Sequence, residues 1–244
     1  MSRIIAVTSG KGGVGKSTVA LHLAASLSRQ GNSVLLVDLD AGMRCLDLLL
    51  GLSDSLVFDL SDVIKGEKNL EEAVMPSKLY PGVSLVAAPL SGKINPNGLK
   101  SFLEVLPEKY DFVILDFPAG CVDELYEALP KYTEVLVVCN ADAVSVRDAG
   151  LMGKDIEKLK PLSIRLVLNR ADISYMKKGF TANIDEVIDR SGLRLIAVIP
   201  QSPDIYYAAC TTTALPNRTK AQRAFERLAR RILGYDIPLK YKKL

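Results

Sequence analysis

A glycine-rich segment close to the N-terminus constrains the fold of this chain more than any other feature. The segment reads Gly10-Lys11-Gly12-Gly13-Val14-Gly15-Lys16-Ser17 and lies between the apolar run RIIAV (3–7) and a helix-favouring stretch. It matches the pattern G-x-x-x-x-G-K-[S/T] in the strand–loop–helix context in which that pattern cradles phosphate groups. Glycines let successive backbone N–H groups turn inward, and the N-terminus of the following helix adds partial positive charge. The alternative is a glycine-rich turn without a ligand, and the combination of motif and context argues against it.

The side chains of this loop have separate expected roles. Lys16 is expected to hold the β- and γ-phosphates, the Ser17 hydroxyl to ligate Mg²⁺, and Thr18 to reach the α-phosphate. Lys11 is a second lysine in a loop that needs only one, and its spacing alone is equally compatible with a solvated loop lysine. The phosphates themselves are expected to lie against the backbone of Gly10, Gly12, Gly13, Val14 and Gly15.

Apolar, β-branched runs recur along the chain and alternate with helical stretches. Besides the run at 3–7, they cover 33–39, 83–88, 111–116, 134–139, 164–169 and 193–199. The runs are continuous rather than alternating in hydropathy, as in strands that are covered on both faces. Helices are predicted over 17–30, 147–159 and 218–233, and the first is closed by Gly31. This order predicts an α/β fold, a doubly wound, mostly parallel sheet with helices on both faces, as in P-loop NTPases.

Three aspartates stand where predicted strands end, at the edge of the sheet where such folds bind ligands. Asp116 closes the run 111–116 and is the best candidate for the carboxylate that P-loop proteins place near Mg²⁺; a strand-end cap is the alternative. Asp38 and Asp40 follow the strand SVLLV (33–37), and strand alternation puts both on the same side of the chain. One can orient an attacking water and the other can bind a metal-bound water, with turn capping as the alternative. The predicted magnesium set is Ser17, Asp38 and Asp116.

Composition places the chain among ordinary globular proteins. Its 244 residues, 48% hydrophobic and 24% charged, suit one domain, which we assign to 1–238, followed by a basic tail at 239–244. A net charge of +3 predicts no strong electrostatic attraction to nucleic acid. The four cysteines are far apart and form no C-x-x-C pair, which favours a reducing cytoplasmic location over a disulfide or zinc framework: Cys45, Cys121, Cys139 and Cys210.

Several features outside the loop have both a structural and a functional interpretation. His22, the single histidine, is expected to pack in the apolar helix, and Tyr206 and Tyr207 are expected to pack near the loop after Pro200. Pro238 interrupts any C-terminal helix, so the tail offers only weak contact with an anionic membrane through its apolar residues and three lysines. Helix 218–233 carries a basic stripe, either a solvated face or a surface for DNA or lipid, at Lys220, Arg223, Arg227 and Arg230.

Six segments, in order along the chain, carry a resemblance to a known family: KGGVGKST (11–18), VDLDAGMRCLDLLLG (37–51), DFVILDFPAG (111–120), NADAVSVRDAG (140–150), LVLNRAD (166–172) and AVIPQS (197–202). They resemble the MinD/ParA family of deviant Walker A ATPases, and most closely its MinD branch. The resemblance runs from Arg3 to about Pro238. Two positions depart from the branch pattern, since Cys45 stands where asparagine is usual and Phe117 where serine is usual, which leaves regulation and partner choice open.

The resemblance implies an activity and a set of residues for it. Members of this family bind ATP with Mg²⁺, close into a face-to-face homodimer around two nucleotides, and hydrolyse ATP slowly under stimulation by partners. Lys11 would be the signature lysine that reaches the phosphates of the neighbouring subunit. Asp40 would be the catalytic switch aspartate, with Asp38 beside it near the metal, and these residues complete the catalytic set with Lys16. The adenine would be contacted by the segment at Asn169 and Arg170 and by the loop after Pro200.

The function that the resemblance implies is a dimerisation switch that positions partner proteins in the placement of the division septum. The resemblance implies partners of the MinC and MinE type, and it places the Ser145–Asp148 segment on the partner-binding face. Two alternatives come from the same family, a ParA-like DNA segregation ATPase and a regulator of flagellar number. A third class is an ATP-dependent ligase or a metal-cluster carrier on the same fold, for which the chain has neither an amidotransferase region nor paired cysteines.

Overall fold

In the computed structural model, residues 2–106, 109–120, 122 and 124–239 are described. Eight strands form one sheet: β1 (Arg3–Thr8), β2 (Val34–Asp38), β3 (Met75–Pro76), β4 (Val83–Val86), β5 (Phe112–Asp116), β6 (Glu134–Cys139), β7 (Ser163–Ala171) and β8 (Arg194–Pro200). Their spatial order is β3-β4-β2-β5-β1-β6-β7-β8, and only the β3–β4 pair is antiparallel among the strands described. The predicted mostly parallel sheet is therefore confirmed.

The α-helices of the described residues lie between these strands and after the last of them: α1 (Lys16–Ser28), α2 (Leu46–Leu50), α3 (Leu60–Ile64), α4 (Leu70–Ala73), α5 (Pro96–Glu104), α6 (Glu124–Glu127), α7 (Ala143–Glu157), α8 (Ile173–Lys177), α9 (Ile184–Ser191), α10 (Pro203–Thr211) and α11 (Lys220–Ile232). Helices α1 and α11 bury their apolar residues in a core on one face of the sheet. Helices α5, α7 and α9 do so on the other face. The sheet is thus covered on both faces, as predicted.

Strand β1 shows why its apolar run is continuous. Ile5 and Val7 join the core beneath α1 and α11, whereas Ile4 and Ala6 join the core on the opposite face. Successive side chains of a strand point to opposite faces, so a strand that is covered twice needs apolar residues at every position. Burial on both sides fixes β1 firmly, and β1 in turn positions the loop that follows it.

Two of the predicted helix boundaries and one packing assignment are corrected by the structure. Helix α7 begins at Ala143, four residues before the predicted start at Arg147, because the Asp142 carboxylate caps it and the β-branched residues of its first turn do not prevent helix formation. Helix α1 ends at Ser28 rather than Gln30. Helix α10 presents Tyr206 and Tyr207 to solvent, so neither is the packing residue that the sequence predicted.

The chain beyond α11 returns to the open edge of β8. The Arg231 guanidinium donates hydrogen bonds to the carbonyl oxygens of Ile237 (2.8 Å) and Pro238 (2.7 Å) and to that of Ile196 (2.9 Å) in β8. The tail residues from Lys240 to Leu244, on which the predicted membrane contact depends, lie outside the described residues. Of the helices in the described part of the chain, none is both long and apolar enough to cross a bilayer.

His22 packs in the core between α1 and α11, as predicted. Its ring centroid lies 5.0 Å from that of Phe225 and 6.4 Å from that of Tyr80. Burial, together with the positive charge of Arg29, lowers the pKa of His22 to about 4. The imidazole is therefore neutral at pH 7 and contributes to the core as an aromatic ring.

We expect acidification to destabilise the fold through His22. The pKa of histidine in an unfolded chain is about 6.5. In the pH range between that value and about 4, the unfolded state therefore binds more protons than the folded state. The contribution of His22 to the free energy of unfolding is fully present above this pH range. It is lost as the pH falls through the range, by about 3 kcal/mol near pH 4. Urea unfolding of the wild type and His22→Gln at a series of pH values measures this contribution. The variant should lose less stability across this pH range, and equal pH slopes would contradict the prediction.

Candidate functional site

The predicted phosphate loop and the predicted carboxylates meet at the carboxyl ends of three adjacent strands. The loop leaves β1, Asp38 ends β2 and Asp116 ends β5, and β5 lies between the other two strands. Asp116 is in register with Val7 on one side and with Asp38 on the other. The sheet topology therefore brings the loop and both carboxylates together, as predicted for residues at the carboxyl ends of parallel strands.

Close packing shapes the glycine-rich loop on one side and leaves it open on the other. Gly15 caps α1 with a φ of 91°, and a Cβ there would lie 2.3 Å from the Asn169 side-chain nitrogen. A Cβ at Gly10 would lie 2.8 Å from the carbonyl oxygen of Asp148 in α7. By contrast, a Cβ at Gly12 or Gly13 would have no atom of the described residues within 4 Å. The loop is thus pressed against β7 and α7 and faces open space where a phosphate would lie.

Two asparagine side chains fix the backbone of the loop at Val14. The Asn169 amide donates a hydrogen bond of 2.7 Å to the carbonyl oxygen of Val14. With its amide oriented to satisfy its neighbours, Asn140 donates to the same carbonyl at 3.3 Å and to that of Asn169 at 3.2 Å. Because Val14 is buried, these bonds satisfy a carbonyl that water cannot reach. The residue predicted to contact adenine therefore fixes the position of the loop.

Lys16 lies inside the site and is paired with acid side chains. Its ammonium is 2.9 Å from Asp116 Oδ1 and 3.8 Å from Asp40 Oδ2, and its side chain is 7% exposed. The Ser17 hydroxyl is 3.4 Å from the same ammonium. The loop lysine and the strand-end carboxylate thus neutralise one another, which reduces the cost of burying either charge.

The buried carboxylates outnumber the cation that they share. Burial and the neighbouring Asp116 raise the pKa of Asp38 to about 7, although its oxygens accept N–H bonds from Asp40 (2.9 Å) and Leu46 (3.3 Å). Burial also raises the pKa of Asp116, against the opposing influence of Lys16 and Ser17. Two buried carboxyl groups therefore compete for the single positive charge of Lys16.

These residues fit a magnesium ion held with a nucleotide. Asp116 Oδ2 is buried and has no hydrogen-bond partner among the residues that the structure describes. Magnesium in nucleotide sites is bound through one or two carboxylates, water and phosphate oxygens, so it does not need a complete cage of protein ligands. A cation here would neutralise the excess carboxylate charge and occupy the unpaired oxygen. Ser17, Asp38 and Asp116 are the residues that would hold it, directly or through water.

Asp40 and Lys11 lie nearer the surface than this buried group. The Asp40 side chain is 25% exposed, at the rim of the site where water has access. Lys11 forms an ion pair of 3.2 Å with Asp142, in which both side chains are 44% exposed. The structure thus unites the predicted residues Lys16, Ser17, Asp38, Asp40 and Asp116 and leaves Lys11 outside the group.

The predicted adenine contacts remain predictions. Arg170 is exposed with a φ of 51°, and it lines a cavity of about 370 Å³ at the ends of β6, β7 and β8 together with Asn140, Asp172 and Gln201. Pro200 ends β8 beside this cavity, and Asn169 is turned toward the loop. The cavity is large enough for part of a nucleobase, and its polar lining offers donors and acceptors.

The two departures from the family pattern have different surroundings. The Cys45 thiol donates to the carbonyl of Met43 at 3.2 Å, and burial and the nearby Asp38 raise its pKa. Phe117 is fully buried and packs on Tyr126 with ring centroids 4.3 Å apart. Phe117 therefore has no surface with which to meet a partner directly. Cys121, the cysteine considered for a shared metal cluster, lies outside the described residues.

Comparison with known proteins extends the likeness to the whole chain. A sequence model of the CobQ/CobB/MinD/ParA nucleotide-binding domain matches residues 5–215. The septum site-determining protein MinD of Thermotoga maritima is 34% identical over 246 residues, which cover 98% of this chain and 91% of that protein. The septum site-determining protein MinD of Bacillus subtilis is 33% identical over 249 residues, which cover 98% of this chain and 92% of that protein.

Solved structures give the same result. The MinC:MinD cell division protein complex of Aquifex aeolicus contains a chain that superposes with a TM-score of 0.90 at 29% identity, covering 98% of this chain and 99% of that one. The septum site-determining protein MinD of Pyrococcus horikoshii, complexed with Mg-ADP, superposes with a TM-score of 0.84 at 28% identity, covering 97% of this chain and 100% of that one. The likeness therefore includes the sheet and its helices as well as the loop.

Proposed function

The chain belongs to the CobQ/CobB/MinD/ParA family of nucleotide-binding domains, and on that premise we propose that it is a MinD-like ATPase that acts in placing the division septum. The observation that carries the proposal is the meeting of the loop lysine Lys16 with Asp116, Asp38 and Asp40 at one edge of the sheet. The relatives that match almost the whole chain bear the name of the septum site-determining protein MinD.

Each residue of the site has a role in this proposal. The loop 10–15 and Lys16 bind the phosphates of ATP, with Thr18 toward the α-phosphate. Ser17, Asp38 and Asp116 hold magnesium, which supplies charge neutralisation for the phosphates when it is bound. Asp40, at the hydrated rim, orients the water that attacks the terminal phosphate. Adenine lies toward the cavity lined by Arg170, near Asn169 and Pro200.

We propose further that ATP drives the formation of a homodimer and that hydrolysis is slow until a partner stimulates it. Lys11 lies outside the site of its own chain and has a polar, half-exposed environment, which supports a role toward the phosphates of a second copy. The first turns of α7 expose Val144, Arg147 and Leu151 beside the loop, a mixed surface that suits a protein partner. The solved neighbour in complex with MinC supports a partner of that type, and we extend the proposal to a partner of the MinE type.

The domain organisation in this proposal has two parts. Residues 1–238 form one ATPase domain, and the basic segment 239–244 contacts an anionic membrane surface weakly, so that the protein is cytoplasmic with peripheral attachment. Arg231 supports this arrangement because it fixes the chain up to Pro238 against β8 and so defines where the tail departs. At about 1 kcal/mol for each lysine near an anionic surface, two tails in a dimer would bind usefully where one would not.

The Asp40→Ala variant provides the test of this proposal. We expect it to accumulate as an ATP-bound dimer, because the nucleotide is retained when no side chain at the rim orients the attacking water. Size-exclusion chromatography with light scattering should give a dimer with Mg-ATP and a monomer with Mg-ADP. Anionic liposomes should sediment the ATP form more than the ADP form. A variant that stays monomeric with ATP would overturn the dimerisation switch.

A second candidate function rests on the basic face of α11. Arg223 and Arg230 are exposed, and burial together with Arg223 lowers the pKa of the half-buried Arg227. Arginines one turn apart repel each other, and a bound polyanion would relieve that repulsion. A mobility shift of Asp40→Ala with DNA separates this function from the first. DNA binding that requires ATP and weakens steeply with salt would favour a segregation ATPase, whereas a negative result with ATP would exclude it.

A further inference from the structure

The contact between Lys11 and Asp142 is the one ion pair of the described residues that ties the glycine-rich loop to the start of α7. Lys11 Nζ lies 3.2 Å from Asp142 Oδ1, across 131 residues of sequence. We infer that Asp142 is a positioning residue that holds Lys11 within its own chain, and that this contact must open before Lys11 can reach the phosphates of a second copy. The inference rests on the proposed dimerisation switch and adds a contact within the chain that controls it.

The second acid near this part of the loop does not compete with Asp142 for Lys11. Asp148 packs against Gly10, but its Oδ1 accepts hydrogen bonds from the Arg147 guanidinium at 3.1 Å and 2.9 Å. Asp142 is therefore the acid that remains for Lys11. Hydrogen bonds from the Ser145 N–H and from Lys11 outweigh burial and lower its pKa, so the group is charged at neutral pH.

The same carboxylate oxygen caps α7. Asp142 Oδ1 accepts the Ser145 N–H at 2.9 Å as well as the Lys11 ammonium. Because the cap bond does not involve Lys11, the lysine can leave while the first turn of the helix stays intact. The contact can therefore open without unfolding α7, which a reversible switch requires.

The strength of the contact also suits a reversible switch. Both side chains are 44% exposed, and exposed ion pairs of this kind are weak and are screened by salt. A triphosphate offers several anionic oxygens against the single carboxylate of Asp142, so ATP bound in a second copy can displace it. With ADP that competition is weaker, and the lysine stays with its own chain.

The test removes the charge of Asp142 and keeps its cap. Asparagine caps helices as well as aspartate does, so Asp142→Asn preserves the bond to Ser145 and weakens only the ion pair. In the Asp40→Ala background with Mg-ATP, we expect the dissociation constant of the dimer, measured by sedimentation velocity, to fall about two- to thirtyfold, because two such contacts open per dimer. Asp155→Asn is the matched control, since it removes an exposed pair with Lys158 at the other end of α7 and should change nothing.

The outcomes separate this inference from the proposed function. If Asp40→Ala alone does not dimerise with ATP, both fail. If it dimerises and Asp142→Asn leaves the dissociation constant unchanged or raises it, only the inference on Asp142 fails. The gain should also shrink between roughly 0.05 M and 0.5 M salt, because salt weakens the pair in the parent protein. A gain that is independent of salt would assign the effect to the helix cap and overturn the inference.

Discussion

Lys16→Ala is expected to lose ATP affinity by about 100-fold or more, because the variant lacks the buried cation that faces the phosphates. The same change should destabilise the nucleotide-free protein by about 3 kcal/mol, since Asp116 is then left buried without the ammonium that lies 2.9 Å from it. Isothermal titration with ATP and Mg²⁺ measures the first effect, and urea unfolding without nucleotide measures the second.

A double variant separates the two roles of this lysine. In Lys16→Ala with Asp116→Asn, the buried charge is removed together with its partner, and most of the lost stability should return. ATP affinity should remain low, because the phosphates still lack their cation. Wild-type affinity in Lys16→Ala, or recovery of affinity in the double variant, would contradict the assignment of Lys16 to the phosphates.

Lys11→Ala is expected to bind ATP with nearly unchanged affinity and yet to remain monomeric. Lys11 contacts Asp142 rather than the buried group around Lys16, so the site of its own chain stays intact without it. Hydrolysis at high protein concentration should fall by roughly 10³-fold, the usual effect of losing a cation that a neighbouring subunit supplies to the transition state. Light scattering with Mg-ATP and the rate of phosphate release measure the two effects.

The chain offers a matched control for this variant. Lys109 is 47% exposed and pairs with Glu71 at 3.4 Å, so its removal deletes a similar surface pair far from the loop. Lys109→Ala should dimerise and hydrolyse as the wild type does. If Lys11→Ala also dimerises with ATP, the lysine is an ordinary solvated loop residue, the alternative that its spacing left open.

The sequence predicted those parts of the site that depend on local pattern. The loop 10–17 and the strand-end acids Asp38 and Asp116 are identified by motif and by hydropathy, and the parallel sheet then brings them together. The partners of these residues could not be predicted in the same way. Asn169 and Val14 are 155 residues apart in sequence, and no local signal specifies that bond.

The errors in the fold have equally specific causes. The sequence predicts the start of α7 too late because β-branched residues weaken helix propensity. The residue that caps the helix, an aspartate three residues before Ser145, is also a common turn residue. Strand β3 has two residues and pairs antiparallel at the sheet edge, too short to give a hydropathy pattern. Tyr206 and Tyr207 are apolar enough to suggest packing, although α10 exposes both.

The hydrogen bonds of Arg231 affect how readily other chains can aggregate along the edge of the sheet. Strand β8 is the last strand of the sheet, and an uncovered last strand is a template on which other chains can add by backbone pairing. Here the Arg231 guanidinium donates hydrogen bonds to the carbonyl of Ile196 in β8 and to that of Pro238, which ties the segment after α11 to this strand. The segment after α11 is thereby held against this strand, and it limits the room in which another chain could pair along it.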